Sequence, residues 1–163
     1  MLDFFYLFFS TILFRPYVFI FLALYLVTAI LQIGIARTLV FTLLAYCIAF
    51  LSEYSSTRTG FPYGFYSYIQ TTIDKELWIS NVPFMDSLSY SFLSYCSFSL
   101  AIFLNQEVVR KKNNISILDF ENGIQKKTVL YSSVILFVLL DVIIDPVALR
   151  GSEWFLGQIY HYH

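Results

Sequence analysis

Between Pro16 and Ala36 the chain runs for 21 residues without a charged side chain. A helix crossing the hydrocarbon core of a bilayer needs ~20 mostly apolar residues, and it satisfies its own backbone hydrogen bonds along the way. Pro16 suits the first helical position, where its missing N–H costs nothing. Three further runs follow, at 38–54 (ending on Glu53 and Tyr54), at 83–104 (carrying Asp86 near its start) and at 128–149 (interrupted by Asp141 and Asp145). The segment Leu2–Phe14 is apolar but only 13 residues long, so it reads as an interfacial or re-entrant helix or a short first span. The expected fold class is therefore all-α: one polytopic membrane helix bundle over 1–163, with about four spans plus a short N-terminal apolar helix. Composition agrees, with 58% hydrophobic, 20% aromatic and only 13% charged residues, against roughly 25% charged in soluble domains. A soluble enzyme and a disordered tail are excluded, and a net charge of -1 gives no basic face for nucleic acid.

Charge also sets an orientation. The loop 105–127 holds Arg110, Lys111, Lys112, Lys126 and Lys127, whereas the loop 55–82 holds only Arg58 and Lys75. Positive loops stay in the cytoplasm, so 105–127 and Arg37 are expected inside and 55–82 outside. Binding of anionic lipid or a partner is the other use of such a basic cluster. The expected location is integral and multi-pass, in a bacterial or archaeal plasma membrane. Met1-Leu2-Asp3 offers no positive n-region and no cleavage site follows, so a removable signal peptide is not expected. Cys47 and Cys96 lie in apolar runs and read as buried free thiols, not as a disulfide or redox pair.

On that topology Glu53, Asp86, Asp141 and Asp145 all gather toward the outer leaflet. Ionisable groups inside a membrane are costly and mark functional sites. Asp141 and Asp145, spaced i, i+4, share one helix face. Two close carboxylates in a low dielectric do not both ionise easily, and a retained proton beside a carboxylate suits general acid–base chemistry. The plainer alternative has Asp145 capping a break before Pro146 and Asp141 bonded to a neighbouring helix. The outer loop reads Thr59-Gly60-Phe61-Pro62-Tyr63-Gly64-Phe65-Tyr66-Ser67-Tyr68. Its rings form either an interfacial aromatic belt or a wall whose faces stabilise a cationic intermediate. The only histidines, His161 and His163, are too few for a histidine-rich di-iron site. With Tyr160 and the carboxylates they offer a metal site, though a solvated tail is the commoner reading. No dinucleotide fingerprint, P-loop, nucleophile elbow or zinc-protease motif occurs.

Glu53, the stretch Thr59-Gly60-Phe61-Pro62-Tyr63-Gly64 with Tyr66 and Tyr68, and Val82-Pro83 resemble the carotenoid 1',2'-hydratase family of γ-carotene and bisanhydrobacterioruberin hydratases, also described as carotenoid biosynthesis proteins. A second block, Asp141-Val-Ile-Ile-Asp145-Pro146-Val147-Ala148 with Gly151, Trp154 and Tyr160, is similar to that family's other signature in order and spacing. Relatives continue past the Tyr160 region, so the chain reads as C-terminally short, and Phe155 stands where a second Trp is usual. The resemblance implies acid-catalysed addition of water to the terminal double bond of a linear carotenoid ψ-end, through a carbocation. It implies Asp141 or Asp145 as proton donor and Glu53 as the partner that orients water. Phe61, Tyr63, Tyr66, Tyr68 and Trp154 would line the substrate, with no metal and no cofactor. The implied partners are a carotenoid and the lipid bilayer, with other subunits of a membrane complex as a further possibility. Two other readings stay open: a Mg-dependent intramembrane prenyltransferase, in which the aspartates hold Mg²⁺ and a diphosphate, and a non-catalytic pigment-binding or assembly subunit.

Overall fold

The computed structural model describes residues 2–111, 114–117, 126–149 and 159–163. Five helices occur among them: α1 (Leu2–Phe14), α2 (Pro16–Ile33), α3 (Ile35–Thr59), α4 (Phe84–Asn105) and α5 (Lys127–Leu149). Local chemistry sets their ends. Arg15 leaves helical geometry (φ -122, ψ 54) and Pro16 opens α2. Gly34, at φ 85, ends α2 with its N–H bonded to the Ile30 carbonyl and leads into α3. Gly60 closes α3 in the left-handed conformation (φ 78), where its N–H reaches the Ser56 carbonyl and only glycine is free of a Cβ penalty.

The all-α expectation is met, with four long apolar helices plus the short N-terminal one. The stretches Pro16–Ile33, Ile35–Thr59, Phe84–Asn105 and Lys127–Pro146 are each long and apolar enough to cross a membrane, which makes the chain compatible with an integral membrane protein. Large apolar side chains such as Leu31, Leu43, Ile48 and Val142 stand exposed on these helices, as lipid-facing residues do. The end of α3 lies beyond the apolar run because its polar last turns bond to themselves: Thr57 Oγ1 donates to the Tyr54 carbonyl (3.0 Å) and Thr59 Oγ1 to that of Ser55 (2.9 Å). Pro146 lies inside α5 and does not stop it. Cys47 and Cys96, expected to be buried, are both exposed; a small thiol fits a lipid-facing helix surface as readily as a core.

Among the described residues six short strands accompany the helices: β1 (Tyr66–Tyr68), β2 (Trp78–Ile79), β3 (Val82–Pro83), β4 (Val108–Lys111), β5 (Asn114–Ile117) and β6 (Tyr160–Tyr162). They pair antiparallel as β1·β6, β2·β3 and β4·β5. Arg110 and Lys111 of the basic loop lie on β4, whereas Lys112 is outside the described residues. Two compact units divide the chain, one of Met1–Phe92 with Asp145–His163 and one of Leu93–Ile144. In the second, Ala101, Ile102 and Val129 pack with Phe98 and Leu136 into an apolar cluster. The first unit holds the groups that follow.

Candidate functional site

The site is built on the pairing of β1 with β6. Tyr66 faces Tyr162, Ser67 faces His161 and Tyr68 faces Tyr160. The bonds His163 N–H to Phe65 O (3.0 Å) and Ile69 N–H to Ile159 O (2.7 Å) flank the two tyrosine pairs. This places both pairs at the positions where antiparallel strands bring side chains closest. Alternation puts all four phenols on one face. The Tyr66 ring lies 5.5 Å from those of Tyr68 and Tyr160 and 5.7 Å from that of Tyr162, and Trp78 meets Tyr68 edge-on at 6.0 Å. On the opposite face Ser67 Oγ and His163 Nε2 are 2.6 Å apart.

Gly64 leads the chain into this pairing in a backbone conformation that favours glycine. It sits at φ 99, and a Cβ there would meet the Tyr162 ring at 3.4 Å. The loop is tied back to α3 where the Tyr63 N–H donates to Ser56 Oγ (3.0 Å).

Two carboxylates reach the cluster. Glu53, 2% exposed on α3, accepts a 2.5 Å hydrogen bond from Ser87 Oγ of α4. Asp145 accepts one from the Tyr160 hydroxyl at 2.9 Å. Burial, and then the Glu53 charge, push the Tyr66 and Tyr68 phenols above their ordinary range. Burial and then the Asp145 charge do the same to Tyr160. All three phenols therefore keep their protons, and Tyr160 donates its own to Asp145. Chemically, the arrangement is a set of aromatic faces and neutral O–H donors beside two acids, an environment suited to a transient positive charge in an apolar molecule.

A second polar group braces the first. Arg15, at the α1–α2 junction, is 3% exposed. Its guanidinium donates one hydrogen bond to Glu76 Oε1 (2.9 Å), lies 2.6 Å from Oε2 through Nε as an ion pair without hydrogen-bond geometry, and also pairs with Asp86. Burial alone would lower the Arg15 pKa, but the charges of Asp86 and Glu76 outweigh it and raise the value, so the cation is secure. Asp86 directly precedes Ser87 on α4, so this ion group fixes the helix end that presents Ser87 to Glu53. Thr11 Oγ1 accepts the Leu77 N–H (2.9 Å) and adds a second tie between α1 and the loop.

Of the residues singled out in the sequence, Glu53, Tyr66, Tyr68 and Asp145 lie around this cluster. Tyr63 is 42% exposed and Phe61 74% exposed. Asp141, one helical turn before Asp145, belongs to the Leu93–Ile144 unit. Trp154 lies outside the described residues. Sequence reasoning missed Arg15 and Glu76 as a pair and Tyr160 as the partner of Asp145. A lone arginine between two apolar runs was the available signal for the first. Among the described residues no group of three or more His, Cys, Asp or Glu side chains is arranged to hold a metal ion.

Fold and site together define a helical, membrane-compatible protein with acidic and tyrosine side chains at one end of its apolar helices. A family model described as carotenoid biosynthesis protein matches residues 9–161, and the chain belongs to that family. Its role accordingly lies in carotenoid biosynthesis. No match was found among curated proteins or among solved structures.

Proposed function

We propose that this chain is a carotenoid 1',2'-hydratase that adds water across the terminal double bond of a linear carotenoid ψ-end. The supporting observation is the tyrosine cluster with two carboxylates acting on it: Asp145 hydrogen-bonded to Tyr160 and Glu53 acting electrostatically on Tyr66 and Tyr68. In this reading Asp141 or Asp145 donates a proton to the less substituted alkene carbon. The π electrons form the new C–H bond and leave a tertiary carbocation, which the faces of Tyr63, Tyr66 and Tyr68 stabilise, with Trp154 as a further candidate. Water oriented by Glu53 attacks the cation, and its surplus proton returns to the carboxylate set. The sum is one water added, with nothing oxidised or reduced.

In the same reading the helices are multi-pass spans. The ends bearing Arg15, Glu53, Asp86 and Asp145 lie at the outer rim, and the basic segment 105–127 faces the cytoplasm. An apolar substrate would then reach its acid from within the lipid.

Expression in a bacterium that accumulates lycopene or γ-carotene tests the proposal through the pigment's mass. The expected result is a gain of one water, retained in the presence of a metal chelator. Asp145→Asn and Glu53→Gln should abolish the gain while the protein still accumulates in the membrane. Unchanged pigment from well-expressed protein, or product formation surviving both substitutions, would contradict the reading.

A further inference from the structure

α3 carries a second feature that the cluster does not use. Tyr46, Phe50 and Tyr54 recur every four residues on one side of the helix, and their rings stack as a ladder. Tyr46 and Phe50 are 6.1 Å apart at 12° between planes, and Phe50 and Tyr54 are 5.8 Å apart at 26°. Phe84, at the start of α4, closes on Tyr46 at 5.2 Å. At the other end the Arg58 guanidinium lies 4.2 Å over the Tyr54 ring. The three ladder rings are half-buried, while aliphatic neighbours on the same helix, Leu43, Leu44, Ile48 and Leu51, are exposed. α3 therefore presents both a fully exposed aliphatic face and a partly sheltered aromatic strip that runs ~12 Å along its axis.

From this geometry we infer that the strip is the binding rail for the substrate's conjugated chain, which lies along Tyr46, Phe50 and Tyr54 with its reactive end at Glu53. The inference rests on the hydratase reading for the identity of that end, and on the ladder itself for the rail. Glu53 precedes Tyr54 and is three residues from Phe50, so the ladder leads to the acid. Arg58 lays its charge over one face of Tyr54, which marks the end of the strip open to an apolar chain. A conjugated polyene is flat, rigid and polarisable. It gains dispersion contact along the strip of rings that a flexible saturated acyl chain matches poorly. Rings held by two torsions lose little freedom when they clamp such a chain.

The probe is lycopene, added to the purified protein in lipid nanodiscs and followed by visible circular dichroism and by bound pigment per protein. Phe50→Leu and Tyr54→Leu should each weaken lycopene binding by about threefold to tenfold, raising KM for hydration with kcat nearly unchanged. Phe50→Tyr, which restores a ring, should restore binding, and Phe41→Leu, on the same helix but off the ladder, should bind as the parent does. Far-UV circular dichroism confirms that each variant remains helical. Glu53→Gln separates the two claims, since it should bind lycopene normally without turning it over. Normal binding by Phe50→Leu, or failure of Phe50→Tyr to rescue it, would overturn the rail even if water addition is observed. Ring-dependent binding by a parent protein that adds no water would leave the rail standing and remove the hydratase reading.

Discussion

Arg15 shows how one side chain supports a site it does not enter. Its guanidinium is 3% exposed and faces two carboxylates, Glu76 and Asp86. Removing one member of a buried ion group strands the others and typically costs about 3–5 kcal/mol. Arg15→Gln should therefore lower the thermal midpoint of the detergent-solubilised protein and reduce hydration along with it. Glu76→Gln, which keeps the shape and leaves Arg15 paired with Asp86, should cost less. Equal stability of Arg15→Gln and the parent would show that the ion group is not a brace. Single acids were legible in the sequence because a carboxylate in an apolar run is conspicuous, as at Glu53, Asp141 and Asp145. The pairings were not. Arg15 and Glu76 are 61 positions apart, and nothing in local sequence links a residue between helices to one in a distant loop. Phe61 and Tyr66 looked alike as loop aromatics, yet the backbone turn exposes one and buries the other.

Among the elements, the long helices were legible and the strands were not. A charge-free run of span length is a strong signal for a helix, and Gly34 and Gly60 mark real ends. β1 and β6 are three residues each and stabilise one another only across most of the chain, so neither carries a pattern of its own. Their pairing nevertheless assembles the tyrosine cluster. Gly64 is the position to test, because alanine at φ 99 is strained. Gly64→Ala should cost about 1–2 kcal/mol and reduce the near-UV circular dichroism of the packed tyrosines; an unchanged spectrum would mean that the pairing does not depend on this turn. Alkaline titration reports on the same element. The folded pKa values of Tyr66, Tyr68 and Tyr160 are raised above the ordinary 10.0, so the unfolded chain releases those protons first. Their contribution to stability is intact below pH 10 and declines as pH rises beyond it. Phenolate absorbance from these residues should appear together with unfolding, whereas early ionisation of all tyrosines in a still-folded protein would contradict the buried cluster.

At the largest scale, the unit of Met1–Phe92 with Asp145–His163 brings together acids and tyrosines, and membership of the carotenoid biosynthesis family supplies an apolar, conjugated molecule to go with them. The aromatic ladder of α3, the tyrosine cluster of β1 and β6 and the acids Glu53 and Asp145 all lie within the Met1–Phe92 and Asp145–His163 unit. Composition and the spacing of charge-free runs revealed the helical class, and two separated motif blocks revealed the family. How loop and terminus fold together over α3 required the structure, because it depends on side chains meeting across distant segments. The most direct test is hydration by the purified protein in water enriched in heavy oxygen, with lycopene as substrate and molecular oxygen removed. The account predicts one heavy oxygen in the tertiary hydroxyl of the product, formed by the parent and absent with Asp145→Asn. Product without the label, or no product from a folded protein that binds lycopene, would contradict it.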